Sequence, residues 1–517
     1  MSPSTLDRMT ASPVHLAQRL LGARPTGDGA TSVRVWAPKA GDVSVRLRGL
    51  DHALTAAGDG TWEARLDAGH GDDYLLVLDG GDSWPDPHSL WQPEGVRGPS
   101  RVLDAATFEI AAGPGLELAE LVLYELHVGT FSREGTFDGV IPHLRRLRRL
   151  GATAIELMPV ATFPGERGWG YDGLYTFAPH PTYGGPEGLA RLVDAAHREG
   201  LGVVLDVVYN HVGPGNQALR AFGPYFTDRF GETPWGQAID YAQPGVREWA
   251  IQNAELWVRD YAVDGLRLDA VHAVHDDSPV HVLAELGERV RGVNPKALVI
   301  SEMGPPDFRP LRDWGHDAMW LDDLHHALHV ALTGERDGYY AEFDGSMARI
   351  AAELSRPEGP RIVAAAQNHD QVGNRALGDR LPDTKRRLAA AVVFFCTYTP
   401  LLFQGEEYGE TAPFRFFTDH IDPFIADATR EGRRREFQHF AGFRAEAPDP
   451  QDRESFVLSK LSPRDPEQLY VDLLRLRREL PRELNVDYDE DARTLTLRRG
   501  RATLHADFSR ETVSLRA

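Results

Sequence analysis

Four short strings in this chain carry residue types that could act together: Asp206-Val-Val-Tyr-Asn-His211, Gly265-Leu-Arg-Leu-Asp269, Ile300-Ser-Glu302 and Asn368-His-Asp370. Three follow an apolar, β-branched run that predicts a buried parallel strand, and Leu266-Arg-Leu-Asp269 predicts a shorter strand entered from a helix. Each string ends in an ionisable residue. Polar side chains at the carboxyl ends of successive barrel strands form an active site. Asp269, Glu302 and Asp370 supply three acids, a count suited to retaining glycoside hydrolysis. One acid attacks, one gives and takes a proton, and one holds the sugar.

Arg267 and Asp269 are two apart on a strand, so both side chains face the barrel mouth. The guanidinium beside Asp269 would favour its carboxylate, as a nucleophile at an anomeric carbon requires. Glu302 follows the apolar run Ala297-Leu-Val-Ile300, a setting that tends to raise a carboxyl pKa, the direction a proton donor needs. Asp370, His211 and His369 would then clamp sugar hydroxyls, while Asp206 either orients its neighbours or meets sugar itself. In Trp169-Gly-Tyr-Asp-Gly173 the glycines permit a tight turn that could present Trp169 or Tyr171 to a pyranose as a flat apolar face. Any one string alone is as readily a structural salt bridge or a Gly-rich turn. Their joint occurrence, in order and at expected strand ends, is what points to catalysis.

The elements that must position these residues alternate strand and helix from about residue 120. Leu123-Tyr-Glu-Leu-His127 reads as a strand, and Ile141, Leu144, Leu147 and Leu150 as a helix closed by Gly151. Ala154-Ile-Glu-Leu-Met158 is the next strand. Leu189, Leu192, Val193 and Ala196 mark a helix ended by Gly200, before Gly202-Val-Val-Leu-Asp206. Further strands at 265–269, 298–302, 317–321, 361–366 and 399–404 bring the number to eight, predicting an α/β fold of the (β/α)₈ barrel type with insertions.

Flanking segments read as β. Ser32-Val-Arg-Val-Trp-Ala37 and Asp42-Val-Ser-Val-Arg-Leu47 alternate with period two, and Gly58-Asp-Gly60 and Asp79-Gly-Gly81 are turn signals. A small N-terminal sandwich and linker over 1–100 are therefore expected, with the catalytic barrel over 101–445. A C-terminal helix and small β region should fill 446–517. The late helix has Asp465 as N-cap, Pro466 at the first turn and Gln468 at the third position.

Composition narrows the function classes. The 517 residues suggest a large domain with satellites. With 56 basic against 77 acidic side chains the net charge is −21, which argues against nucleic acid and anionic membranes as partners. Cys396, the only cysteine, sits in an apolar run and is expected to be a buried small hydrophobe. Residues 1–20 show no secretory pattern and no run approaches 18 apolar residues, so a cytoplasmic setting is expected. Spacings that would hold a metal, a phosphate or a nicotinamide cofactor are missing, so the chemistry is expected to run on side chains without cofactor or metal. Arg145-Arg-Leu-Arg-Arg149 and Arg433-Arg-Arg435 read as solvated helix faces.

The four strings resemble the signature regions of the α-amylase superfamily of retaining glycosidases. Gln92-Pro-Glu-Gly-Val-Arg-Gly-Pro-Ser100, Trp314-Gly-His-Asp-Ala-Met-Trp-Leu-Asp-Asp-Leu-His-His326 and Gln367-Asn-His-Asp-Gln-Val-Gly-Asn-Arg375 resemble one branch of it, the malto-oligosyltrehalose trehalohydrolase family. So do Gly405-Glu-Glu-Tyr-Gly409, Phe416-Phe-Thr-Asp-His420 and Glu431-Gly-Arg-Arg-Arg-Glu436. The resemblance spans about residues 30 to 480. It implies Asp269 as nucleophile, Glu302 as general acid/base and Asp370 as transition-state stabiliser, with Arg267, His211, His369 and Tyr171 placing the sugar. It also implies a maltooligosyl trehalose or related α-glucan substrate, cut at the α-1,4 bond next to the terminal trehalose. Met303-Gly304 stand where the resemblance leads one to expect polar Asn and Asp. The alternatives are an α-1,4-glucan branching enzyme, which transfers the chain instead of losing it to water, a general α-amylase-like hydrolase, and a non-catalytic glucan binder. The three retained acids speak against the last.

Overall fold

The computed structural model describes residues 19–233, 235–304, 307–437 and 447–517. Most of the segment in which no leader was expected, and the expected boundary at 445/446, lie outside the described residues.

Eight parallel strands close into a barrel: β1 Leu123–Leu126, β2 Ala154–Leu157, β3 Gly202–Val207, β4 Gly265–Leu268, β5 Leu298–Glu302, β6 Ala318–Trp320, β7 Ile362–Ala365 and β8 Thr399–Phe403. These are the eight strands the apolar runs predict. Each is buried along nearly its whole length, because barrel side chains fill the interior on one face and meet helices on the other. Register matters to the site. Asp206 pairs directly with Arg267 across β3 and β4, and Glu302 with Trp320 across β5 and β6.

The helix expected around 141–150 forms in three pieces. Phe137–Val140 and Leu144–Leu150 are α-helical, and a 3-10 turn, Ile141–His143, joins them where Pro142 cannot donate an N–H. Gly151 ends it with φ 117°, a left-handed value that suits glycine.

Two N-terminal sheets contribute to one apolar cluster through Val33, Val35, Val45 and Leu76. The loop at Asp79-Gly80 has φ of 51° and 62°, as a tight hairpin with two left-handed residues requires. Trp36 fastens this region to the barrel. A Cβ at Gly245, in the first turn of helix Pro244–Asp260, would lie 2.0 Å from the Trp36 ring, so only glycine admits that contact.

At the other end, four strands from Asn485 to Arg516 form an antiparallel meander behind helix Gln468–Glu479. That helix starts two residues later than the N-cap pattern suggests. Glu467 takes the capping position while its carboxylate binds Arg386 at 2.6 Å and Arg387 at 2.8 Å. No helix of the described residues is long and apolar enough to cross a membrane. Cys396 is fully buried, its thiol pushed up by burial.

Two arginines tie the C-terminal region to the barrel. Arg477 donates to the carbonyls of Phe394 (3.2 Å), Cys396 (2.5 Å) and Tyr398, and Arg499 to Phe395 (3.0 Å) and Cys396 (3.1 Å). Those of Phe394, Phe395 and Cys396 end helix Asp383–Phe395, where helical partners run out and positive charge is favoured. Arg477→Leu would leave several buried acceptors unpaired, each costing about 1–3 kcal/mol. Urea denaturation should show a loss of about 3 kcal/mol; a change below about 1 kcal/mol would show that the carbonyls find other partners.

Candidate active site

The four strings converge at the carboxyl end of the barrel around one guanidinium. Arg267, fully buried on β4, places Nη1 3.0 and 2.8 Å from the two oxygens of Asp206 and 2.7 Å from Asp269 Oδ1. Its Nη2 lies 3.0 Å from Glu302 Oε2, and the guanidinium sits 4.4 Å from the ring centroid of Trp320. The direct pairing of Asp206 with Arg267 and the two-residue period of β4 produce this arrangement. All three hydrogen bonds come from Nη1, whereas Nη2 meets Glu302 as a close ion pair outside hydrogen-bond alignment and Nε has no hydrogen-bond partner, so Asp206 and Asp269 provide most of what offsets burial of this charge.

Other groups separate the two acids that share it. Asn210 Nδ2 donates to Asp269 Oδ2 at 2.7 Å and to its backbone oxygen at 2.9 Å. The N–H of Ala270 donates to Glu302 Oε2 at 2.7 Å. Ala270 has φ 39° and ψ 52°, left-handed values that a residue with a Cβ adopts at a cost of about 1–2 kcal/mol. That turn directs the N–H following Asp269 at Glu302, so local backbone strain sets the relation between the two carboxylates. Sequence alone ties Arg267 to Asp269; in the structure it touches both acids.

A second chain of contacts runs across the mouth. Glu125 on β1 accepts from the His369 backbone N–H at 2.9 Å and pairs with its Nδ1. His369 Nε2 lies 2.8 Å from the Tyr171 hydroxyl, which donates to Asp206 Oδ2 at 2.6 Å. Burial opposes charge on His369, but Asp370 and Glu125 prevail and lift it to about 10. The imidazolium thus donates from both nitrogens, to Glu125 and to Tyr171. Burial raises Asp206 to about 7 against the pull of Arg267, with the Asp269 charge adding to the rise.

The remaining expected residues are placed as follows. Asp370 is partly exposed at the start of helix His369–Gly373, 3.5 Å from His369 Nε2 and held by Asn374 Nδ2 at 3.1 Å. His211 is buried, its pKa lowered to about 4 by desolvation, and its Nδ1 meets Asn210 Oδ1. Tyr171 stacks on His369 at 5.2 Å, so part of its face is already occupied. Trp169 lies beneath the site: it is 5 % exposed, stacks on Phe414 at 5.1 Å and donates from Nε1 to the Arg415 carbonyl. The structure therefore places it as support for His369, not as an open face. Met303 is buried, and the Gly304 N–H donates to His272 Nδ1 at 3.1 Å.

Sequence reasoning assigned nothing to several residues found here. Glu125 is an acid inside an apolar strand, a signal that could have been read. Asn210 lies within the first string and Trp320 on a strand already identified. Trp235 offers no sequence signal; it sits by hairpin Phe226–Thr233/Gly236–Ile239, 45 % exposed, with its ring stacked on His211 at 4.6 Å and 6°. Asp322, which burial and the charges of Glu302 and Asp370 push up to about 7, is a further acid at the mouth. Among the described residues, no group of three or more His, Cys, Asp and Glu is arranged to hold a metal ion.

The His369 charge has a consequence for stability. Its folded pKa of about 10 exceeds the free value of about 6.5, so the stabilisation is complete below about pH 6.5 and lost as pH rises through about 10. Urea midpoints measured at pH 6 and pH 9.5 should fall further for the native protein than for His369→Gln. Equal falls would mean that His369 is neutral in the folded state.

The α-amylase catalytic-domain family matches residues 99–222. The malto-oligosyltrehalose trehalohydrolase of Deinococcus radiodurans is 43% identical over 90% of this chain and 84% of its own length. That of Rhizobium sp. (strain M-11) is 40% identical over 95% of this chain and 93% of its own. A Salmonella typhimurium crystal structure of a protein described as an α-amylase superposes with a TM-score of 0.85 at 36% identity, covering 94% of this chain and 92% of that one. With identity at this level over nearly the full length of both sequences, the chain belongs to the malto-oligosyltrehalose trehalohydrolase family.

Proposed function

We propose that this protein is a retaining glycoside hydrolase that cuts the α-1,4 bond next to the terminal trehalose of a maltooligosyl trehalose and releases trehalose. The observation that carries the reading is the single buried guanidinium holding Asp269 at 2.7 Å and Glu302 at 3.0 Å. Two carboxylates tied to one such group favour the separation of about 5–5.5 Å used for retention over the about 6.5–9.5 Å that inversion needs to admit a water between them. The choice of trehalose as the released unit rests on the relatives' names and on their extent of identity.

In this mechanism Asp269 attacks the anomeric carbon, its second oxygen held by Asn210 so that one lone pair faces the sugar. Glu302 protonates the leaving glycosidic oxygen. It then takes a proton from the water that breaks the glycosyl–Asp269 bond, so proton count and configuration are both restored. Charge developing on the sugar ring is met by Asp370, while Arg267 holds Asp269 in place. Tyr171, His211 and His369 position ring hydroxyls. Trp169 and Asp206, both removed from solvent, act through His369 and Arg267.

Incubation with maltotetraosyl trehalose and, separately, with maltohexaose tests the reading. Free trehalose from the first and little cleavage of the second are expected, and a Glu302→Gln variant should bind the oligosaccharide while losing most turnover. Equal cleavage of both would leave a general α-amylase-like hydrolase; appearance of α-1,6 linkages would indicate a branching transferase instead.

A further inference from the structure

Away from Asp269 and Glu302, a cavity of about 400 Å³ lies between the N-terminal strands and the loops at the barrel mouth. Its wall combines Trp84 and Arg97 of the N-terminal region, Tyr175 after β2, Gln217 after β3, and His420 and Ile421 after β8. The volume suits a small ligand, which sites of about 300–1,000 Å³ commonly hold. The Tyr175 hydroxyl makes no hydrogen bond to another described residue, and Arg97, which is exposed, has no ion-pair partner among them, so both can donate to a ligand in the cavity. Apolar surface lies at the rim: Ile421 is exposed, and Phe424, just beyond it, is 81 % exposed.

Partly covered aromatic faces with neutral and cationic hydrogen-bond donors between them are suited to a sugar ring, whose C–H faces are apolar and whose edge is lined with hydroxyls. Position points the same way. His420 Nε2 is 3.8 Å from Asp172 Oδ2, and Asp172 follows Tyr171, so the cavity backs onto the loop that supplies the catalytic tyrosine.

We propose that this cavity is a second carbohydrate site, binding one or two glucose units of an α-1,4-glucan outside the catalytic cleft. The glucan class rests on the hydrolase reading above. Those units belong either to the far end of a long substrate or to a separate chain.

Two variants test it. Trp84→Ala removes the aromatic face, and Ala218→Trp, at another wall position, fills the space. Maltoheptaose binding is measured by calorimetry with trehalose in excess, and hydrolysis is followed on maltosyl trehalose and maltohexaosyl trehalose. Each variant should weaken maltoheptaose binding at least fivefold while kcat on maltosyl trehalose stays within twofold of the native value. A KM that rises for the long substrate alone identifies the occupant as the substrate's far end. Weakened binding with both KM values unchanged identifies a separate chain. Unchanged maltoheptaose binding in both variants overturns the proposal. If the native protein cleaves neither substrate, the hydrolase reading fails, and the calorimetric result still decides the cavity.

Discussion

One fully buried guanidinium organises the mouth of this barrel. Arg267 binds Asp206 through both oxygens, holds Asp269 and Glu302, and lies over Trp320. Taking a guanidinium and several carboxylates out of water costs several kcal/mol per ion, offset here by the hydrogen bonds of Nη1 to Asp206 and Asp269 and by the close ion pair with Glu302. Strand pairing brings these groups together: Asp206 lies opposite Arg267, and Glu302 opposite Trp320. Removing any one partner would leave an uncompensated buried charge. Geometry is thereby fixed before a substrate arrives, which is what electrostatic stabilisation of a transition state requires.

The hydrogen-bonded chain from Glu125 through His369 and Tyr171 to Asp206 extends this control to the opposite side of the mouth. A charged His369 donates in both directions and fixes the Tyr171 proton on Asp206. Two kinds of constraint therefore meet at Asp206, one ionic from Arg267 and one carried by neutral and charged hydrogen bonds. Neither depends on the loops alone, since Glu125, Asp206 and Arg267 all stand on strands, the most rigid part of the fold. Ala270 adds a strained backbone position that aims a single N–H at Glu302.

Much of this was legible in the sequence, and the reasons differ by element. Buried parallel strands read as continuous apolar runs, so all eight could be placed, and ionisable residues at their ends marked Asp206, Arg267, Asp269, Glu302 and Asp370. The partner of His369 could not be read, because Glu125 lies 244 residues away. Stacking of Trp235 on His211 depends on how a hairpin folds back, and the left-handed turn at Ala270 on a residue type that gives no warning of it. Trp169 illustrates the converse: a glycine-flanked aromatic fits an open stacking face and a buried prop equally well, and packing against Phe414 decides between them. At the late helix, Pro466 signalled the element while the pull of Arg386 and Arg387 on Glu467 set its start.

Arg267→Lys is the most direct measurement of the central claim. Lysine keeps the charge but cannot hold Asp206, Asp269 and Glu302 at once with planar, fixed donors. If the shared guanidinium sets the geometry of the two acids, kcat on maltotetraosyl trehalose should fall by about 10²-fold or more while far-ultraviolet circular dichroism is unchanged. A folded variant retaining activity within about tenfold of the native protein would contradict the account, since a point charge would then suffice where a planar, multidentate group is claimed to be necessary.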